Sequence, residues 1–333
     1  MACVIFFYGK MTISENSNRN LIRLDRNAGI TKSPQANPAP GRKTTPGCTL
    51  CTMKYSMNML LWTDNVLDEK YLPVIEKLKK MGYDGIEIPI FDPQPEKYVL
   101  LGKRLDNLGL ERTCVTICGA DANPISPDAA NRKRGVEHLK KALDCCSAGG
   151  MQLLVGPLYA ALGHFTGTAP TKDEWNHGLE SLRPVAEYAR KLGVGMALEP
   201  LNRFEIYFLN TAADAARFAK EIGIPGCGTL YDTFHANIEE KSIALAMQAA
   251  APTLKHVHIS ENDRSTPGSG GVDWDKTFRA LRETGYDGWL TIEAFGTAMP
   301  SLVAATKIWR RMYQDEEQLA RDGLAFMKKR TAT

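Results

Sequence analysis

The 333-residue sequence has no apolar run approaching the roughly 20 residues that a membrane-spanning helix needs. Its start reads as a poor signal peptide. The opening "MACVIFFYGK" has a short apolar patch, but no basic region precedes it and no small-residue cleavage site follows closely. The expectation is a cytoplasmic protein. A disulfide framework is missing too: eight cysteines are scattered, with Cys145 and Cys146 adjacent. Cys48 and Cys51 form one CxxC, but no second pair accompanies it, so chance spacing is a plainer reading than zinc or redox chemistry. Excess basic charge is absent from the body of the chain. Residues 1–52 hold seven Lys/Arg and two Asp/Glu, a net of +5, and subtracting this from the chain's +3 leaves −2 for residues 53–333. That balance counts against a nucleic-acid-binding body. No GxGxxG or GxxxxGK(S/T) follows the first strand-like segment, so the usual nucleotide-binding signatures are absent.

What the sequence does have is alternation. Residues 1–52 show little periodicity, and "TKSPQANPAPGRKTTPG" is rich in Pro, Ser, Thr and Gly. Such composition cannot bury a core, so 1–52 is expected to be a disordered N-terminal extension to a catalytic domain over 53–333. From there strand-like and helix-like segments take turns. "YSMNMLLW", running to Trp62, reads as strand one, and "EKYLPVIEKLKKMG" as an amphipathic helix ending at Gly82. "GIEIPI", "ERTCVTICG", "MQLLVGP", "GMALEP", "CGTLYDTF", "LKHVHIS" and "WLTIEAF" supply strands two to eight. Helices are expected over 95–109, 131–148, 172–192, 211–222, 242–250 and 273–284, with helical sequence across 301–329. Eight such units in about 280 residues predict an α/β protein of the (β/α)8 TIM barrel type, with a doubly wound open sheet as the alternative.

In such a barrel the active site lies at the C-terminal ends of the strands. Strands five to eight each carry polar residues near that end: Glu199 in "ALEP", Asp232 and His235 in "LYDTFH", His256, His258, Glu261 and Arg264 in "HVHISENDR", and Glu293 in "TIEAF". Singly, each suits a salt bridge, a helix cap or a satisfied core histidine. Together, three carboxylates in one barrel mouth would be costly to bury and would repel one another, and a divalent cation relieves both problems. Three carboxylates plus one imidazole suit Mn²⁺, Mg²⁺ or Co²⁺ better than a thiolate-rich zinc site. His256 and His258 share a strand face. His258 lies nearer the C-terminal end and is the better ligand, while His256 sits deeper and reads as structural. Glu87, close to the start of strand two, is given a structural role.

"LEPLNRFE" (198–205), "DTFHANIEE" (232–240), "HVHISENDR" (256–264), "GYDGWLTIEAF" (285–295) and "KIWRRMY" (307–313) resemble the D-tagatose 3-epimerase group. That group includes D-psicose (D-allulose) and L-ribulose 3-epimerases within the xylose-isomerase-like superfamily. The resemblance covers residues 55–330 and leaves the tail unmatched. It implies a metal held by Glu199, Asp232, His258 and Glu293, with Mn²⁺ first and Mg²⁺ or Co²⁺ as alternatives. Glu205, His235 and Arg264 would contact the sugar, with His235 reaching it from the loop after strand six. Glu199 and Glu293 would exchange protons at carbon 3 of a free ketose through a cis-enediolate. "LYAALGHF" (158–165) and "WTDN" (62–65) would line the far end of the pocket. A homodimer or homotetramer is implied, with no nucleic-acid or membrane partner. On the same scaffold, an aldose–ketose isomerase of the hydroxypyruvate isomerase kind, an inosose dehydratase and, more distantly, an abasic-site endonuclease are the rival readings.

Overall fold

The computed structural model describes residues 53–332. The expected disordered extension and the Cys48/Cys51 pair lie outside the described residues. Eight strands follow one another: β1 (Lys54–Asn58), β2 (Gly85–Pro89), β3 (Glu111–Val115), β4 (Leu153–Gly156), β5 (Gly195–Leu198), β6 (Cys227–Asp232), β7 (Leu254–Ile259) and β8 (Trp289–Ile292). Each pairs in parallel with the next, and β1 pairs with β8, so the sheet closes into the expected barrel. Around it lie α1 (Leu72–Met81), α2 (Pro95–Leu108), α3 (Ala129–Gly149), α4 (Lys172–Leu192), α5 (Ala212–Ile222), α6 (Thr233–Glu239), α7 (Ile243–Ala250), α8 (Trp274–Glu283), α9 (Pro300–Thr306) and α10 (Glu316–Thr331). Among the described residues, no helix is long and apolar enough to cross a membrane.

Local chemistry sets these boundaries. α1 and α2 stop where expected, at Gly82 and Gly109, both in the left-handed region that glycine enters without a Cβ penalty. α4 begins with a capping box: Thr171 Oγ1 accepts the Glu174 N–H, and the Glu174 carboxylate accepts the Thr171 N–H. Three expectations need correction. Strand one does not run to Trp62, because Asn58 Oδ1 accepts the Leu60 N–H at 2.9 Å and turns Met59–Leu61 into a 3-10 turn. The segment over 301–329 is two helices, since Lys307 takes a left-handed φ of 62° that ends α9, and Asp315 caps α10 through the Gln318 N–H. A short helix, α6, directly follows β6, where a loop was expected.

Side chains alternate across each strand, so every second residue points into the barrel. The inward set has two characters. Val115, Leu153, Val155, Ala197 and Leu230 on β3 to β6 form an apolar cluster. Asn58, Glu87, Thr113, His256 and His258, from β1, β2, β3 and β7, form a buried polar network instead. Within this wedge Glu87 pairs with Asn58, Thr113 and His258, as buried polar groups must to avoid a cost in stability.

Candidate active site

Glu199 follows β5, Asp232 ends β6, His258 lies in β7 and Glu293 follows β8. All four are buried, and one ligand-type atom from each lies within 4.8 Å of the others. His258 Nδ1 stands 3.4 Å from Glu199 Oε1 and 3.5 Å from both Asp232 Oδ2 and Glu293 Oε1. These near-equal separations are long for hydrogen bonds and suit atoms that share one ion. Glu199 Oε1, Asp232 Oδ2 and His258 Nδ1 are buried without a hydrogen-bond partner. Orphaned buried polar atoms are rare in folded proteins, and three converging on one point fit a cation. The set is oxygen-rich with one nitrogen and no thiolate, as a hard divalent ion prefers.

Asp232 divides its two oxygens between tasks. Oδ1 accepts the N–H groups of Phe234 and His235 at 2.6 and 3.0 Å and so caps α6, while Oδ2 faces the cluster. The electrostatics carry the strain of the crowded carboxylates. Burial raises the pKa of Glu293 well above the usual carboxylate range; His258 and Arg264 oppose the shift, and the charges of Glu199 and Asp232 add to it. Burial works against the charge of Asp232 too, but the neighbouring His258, His235 and Arg264 hold it below its ordinary value. For His258 burial favours the neutral ring, yet Glu87 and Glu293 hold its pKa well up.

His235 is brought to the same mouth, from the first turn of α6 rather than from a loop. The backbone N–H of Asn202 donates to its Nδ1 at 2.9 Å, so the neutral ring carries its proton on Nε2. Burial lowers the pKa of His235 and favours that neutral form. Arg264 Nη2 lies 3.0 Å from Nε2, and Glu199 Oε1 lies 3.9 Å from it. Two N–H groups thus converge beside the carboxylate cluster.

Arg264 is locked in place. Its guanidinium pairs with Glu205 at 2.9 and 3.4 Å and lies between the rings of Phe234 and Phe295, 4.0 and 4.6 Å from their centroids. Its backbone is in the left-handed region, φ 58°, which a non-glycine residue seldom adopts. The loop that holds it there is organised by Glu261. This fully buried carboxylate accepts the N–H groups of Gly268 at 2.7 Å, Val272 at 3.0 Å and Trp274 Nε1 at 2.9 Å.

Above the cluster opens a cavity of about 470 Å³. Glu199, Glu205, His235, Arg264 and Glu293 line its polar end, while Leu60, Phe91, Ile117, Phe165, Met299 and Leu302 contribute apolar walls. The expectation for 158–165 holds for Leu162, Gly163 and Phe165 but not for Tyr159. Tyr159 is buried, and its hydroxyl ties the backbone carbonyls of Glu199 and Leu209 at 2.9 and 3.1 Å. Of "WTDN", Asp64 reaches the cavity and Trp62 does not. The wall from α9 was not foreseen, nor was Asn202, which links Glu205 to His235.

A family model described as "Xylose isomerase-like TIM barrel" matches residues 75–330. The chain belongs to this family. Within it, the sequence is 32% identical over 277 residues to a probable ketose 3-epimerase of Synechocystis sp., covering 83% of this chain and 96% of that protein. It is 33% identical over 276 residues to an L-ribulose 3-epimerase of Mesorhizobium japonicum, covering 82% and 93%. The solved structure of a D-allulose 3-epimerase from Methylomonas sp., in complex with D-allulose, superposes with a TM-score of 0.79 at 30% identity, covering 84% of this chain and 97% of that one. The resemblance read from the four strand-end motifs is thereby shown: this family member groups with carbohydrate epimerases.

Proposed function

We propose that the protein is a metal-dependent ketose 3-epimerase that interconverts free ketohexoses or ketopentoses, such as D-fructose and D-psicose, D-tagatose and D-sorbose, or L-ribulose and L-xylulose. The observation that carries this reading is the convergence of three partnerless buried atoms, on Glu199, Asp232 and His258, with Glu293 beside them. Those four residues would hold the ion, with Mn²⁺ first and Mg²⁺ or Co²⁺ as alternatives. When bound, a divalent cation would polarise the substrate carbonyl and offset the charge that develops as the proton leaves.

The chain's own residues supply the rest. Inverting carbon 3 requires a proton to leave one face and another to arrive at the opposite face. Glu199 and Glu293 come from β5 and β8, three strands apart around a closed ring of eight, so they approach a bound sugar from different sides. One would take the proton and the other give it, with the roles exchanged in the reverse reaction. His235 and Arg264 direct N–H donors to the same place and would hold the oxygens near carbons 1 to 3 as the enediolate forms. Glu205 fixes Arg264 and, through Asn202, His235. The apolar cavity wall offers few partners to the remaining hydroxyls, which suits a site that reads the reacting end of the sugar and tolerates variation at the other. The D-allulose bound in the Methylomonas relative supports the same substrate class.

The test is product analysis with Mn²⁺ and D-fructose, D-tagatose or L-ribulose. The expected products are the carbon-3 epimers. Aldose products would favour an isomerase, dehydrated products an inosose dehydratase, and no conversion of any ketose would overturn the reading. Glu199→Gln and Glu293→Gln should each nearly abolish turnover with the fold intact, and substantial activity in either purified variant would remove that residue from the mechanism.

A further inference from the structure

Beneath the ligand cluster lies a fully buried carboxylate with no part in the chemistry described so far. Glu87, at the centre of β2, is met by side chains from its neighbours β1 and β3 and from β7 elsewhere in the ring. Its Oε1 accepts from Asn58 Nδ2 at 3.0 Å and stands 2.7 Å from His258 Nε2. Its Oε2 accepts from Thr113 Oγ1 at 2.8 Å, and His256 Nε2 sits 2.9 Å from that oxygen without an aligned hydrogen bond. Only an ionised carboxylate satisfies this ring of N–H and O–H groups. A glutamine would present one acceptor and would aim an NH₂ at donors. The same count disfavours a second cation held by Glu87, His256 and His258, because Asn58 and Thr113 already direct protons at both oxygens.

We infer that Glu87 is a positioning residue for the metal site: it binds the Nε2–H of His258, fixes the ring's tautomer and orientation, and so leaves the Nδ1 lone pair directed at Glu199, Asp232 and Glu293. The 2.7 Å contact on one side of the imidazole and the partnerless atom on the other are the two halves of that arrangement. Carboxylates that orient a ligand histidine in this way commonly change metal affinity 10–100-fold when removed. His256 has a lesser part, filling the space beside Glu87 with its Nε2 2.9 Å from the same carboxylate and its ring at 79° to that of His258, 5.2 Å away. The inference rests on the metal site proposed above, and its test uses no turnover.

Two measurements decide it. Isothermal titration of metal-free protein with Mn²⁺ should show Glu87→Gln binding about 10–100-fold more weakly than wild type, with circular dichroism confirming an unchanged fold. Long-range ¹H–¹⁵N NMR of metal-free wild-type protein, at the alkaline end of its imidazole titration, should show His258 as the Nε2–H tautomer, assigned against a His258→Gln variant. An Nδ1–H tautomer overturns the inference. So does a folded Glu87→Gln that binds Mn²⁺ within twofold of wild type, or a wild-type protein that binds no Mn²⁺. Should Glu87→Gln fail to fold, the wild-type tautomer decides alone. Tight Mn²⁺ binding and the Nε2–H tautomer together with no ketose turnover would support this inference while overturning the epimerase reading.

Discussion

Glu293→Gln separates the cost of the carboxylate cluster from its use. The ligand atoms of Glu199, Asp232 and Glu293 lie within 4.8 Å of one another. At an effective dielectric of about 20, two unit charges at that separation repel by about 3 kcal/mol. Burial raises the pKa of Glu293 well above the usual carboxylate range, with Glu199 and Asp232 adding to the shift and His258 opposing it, and this direction favours the neutral acid in metal-free protein. A raised carboxylate pKa means stability that is fully present below about pH 4.5 and lost as pH rises through the folded-state value. Glutamine mimics the neutral acid and has no such dependence. In EDTA at neutral pH the variant should therefore match wild type within about 1 kcal/mol or exceed it, and the difference should move in the variant's favour as pH rises. Mn²⁺ reverses the order. At 100 times its Kd, Mn²⁺ stabilises wild type by about 2.7 kcal/mol, whereas a variant binding about 100-fold more weakly gains only about 0.4 kcal/mol. For a domain of this size that is a rise in Tm of about 5 °C against about 1 °C. Scanning calorimetry of both proteins, with EDTA and with Mn²⁺, reads all four states. An equal Mn²⁺ shift in the two proteins would refute Glu293 as a ligand, and a loss of several kcal/mol in EDTA would refute the electrostatic argument.

Two further outcomes are expected. Arg264→Lys keeps the charge but loses the planar fork that meets Glu205 and the stacking between Phe234 and Phe295, so kcat/KM for the best ketose should fall at least about tenfold. Steady-state kinetics check this, and an unchanged kcat/KM would remove the guanidinium from the substrate clamp. Asp232→Asn and Asp232→Ala should both lose Mn²⁺ stabilisation but differ in EDTA, because asparagine can still cap α6 through its side-chain oxygen. Urea unfolding in EDTA should place the alanine variant about 1 kcal/mol below the asparagine variant, and equal midpoints would show that the cap contributes nothing.

The barrel, and the strand ends at which four ligand-type residues gather, were legible in the chain alone. Eight apolar strand segments alternating with amphipathic helices leave few other ways to bury both faces of a parallel sheet. Because strand periodicity is local, it also identified which side of the barrel would collect Glu199, Asp232, His258 and Glu293. Glycines 82 and 109 marked helix ends for an equally local reason, the left-handed backbone that their missing Cβ permits. What depended on partners far along the chain was decided only by the tertiary structure. Glu87 is 171 residues from His258, and nothing in "GIEIPI" beyond a lone charge in an apolar strand hinted that the two would meet. Glu261 looked like another strand-end acid, yet its carboxylate is spent on the N–H groups of its own loop, which sets the backbone of Arg264. His235 lies three residues after Asp232, so the sequence put them side by side. The cap that turns "TFHAN" into α6, the Asn202 N–H that fixes the ring's tautomer, and the Arg264 cation facing it come from packing. Residue type and strand register are short-range properties of the chain, whereas the protonation, orientation and pairing of a buried side chain depend on which distant groups the closed barrel brings against it.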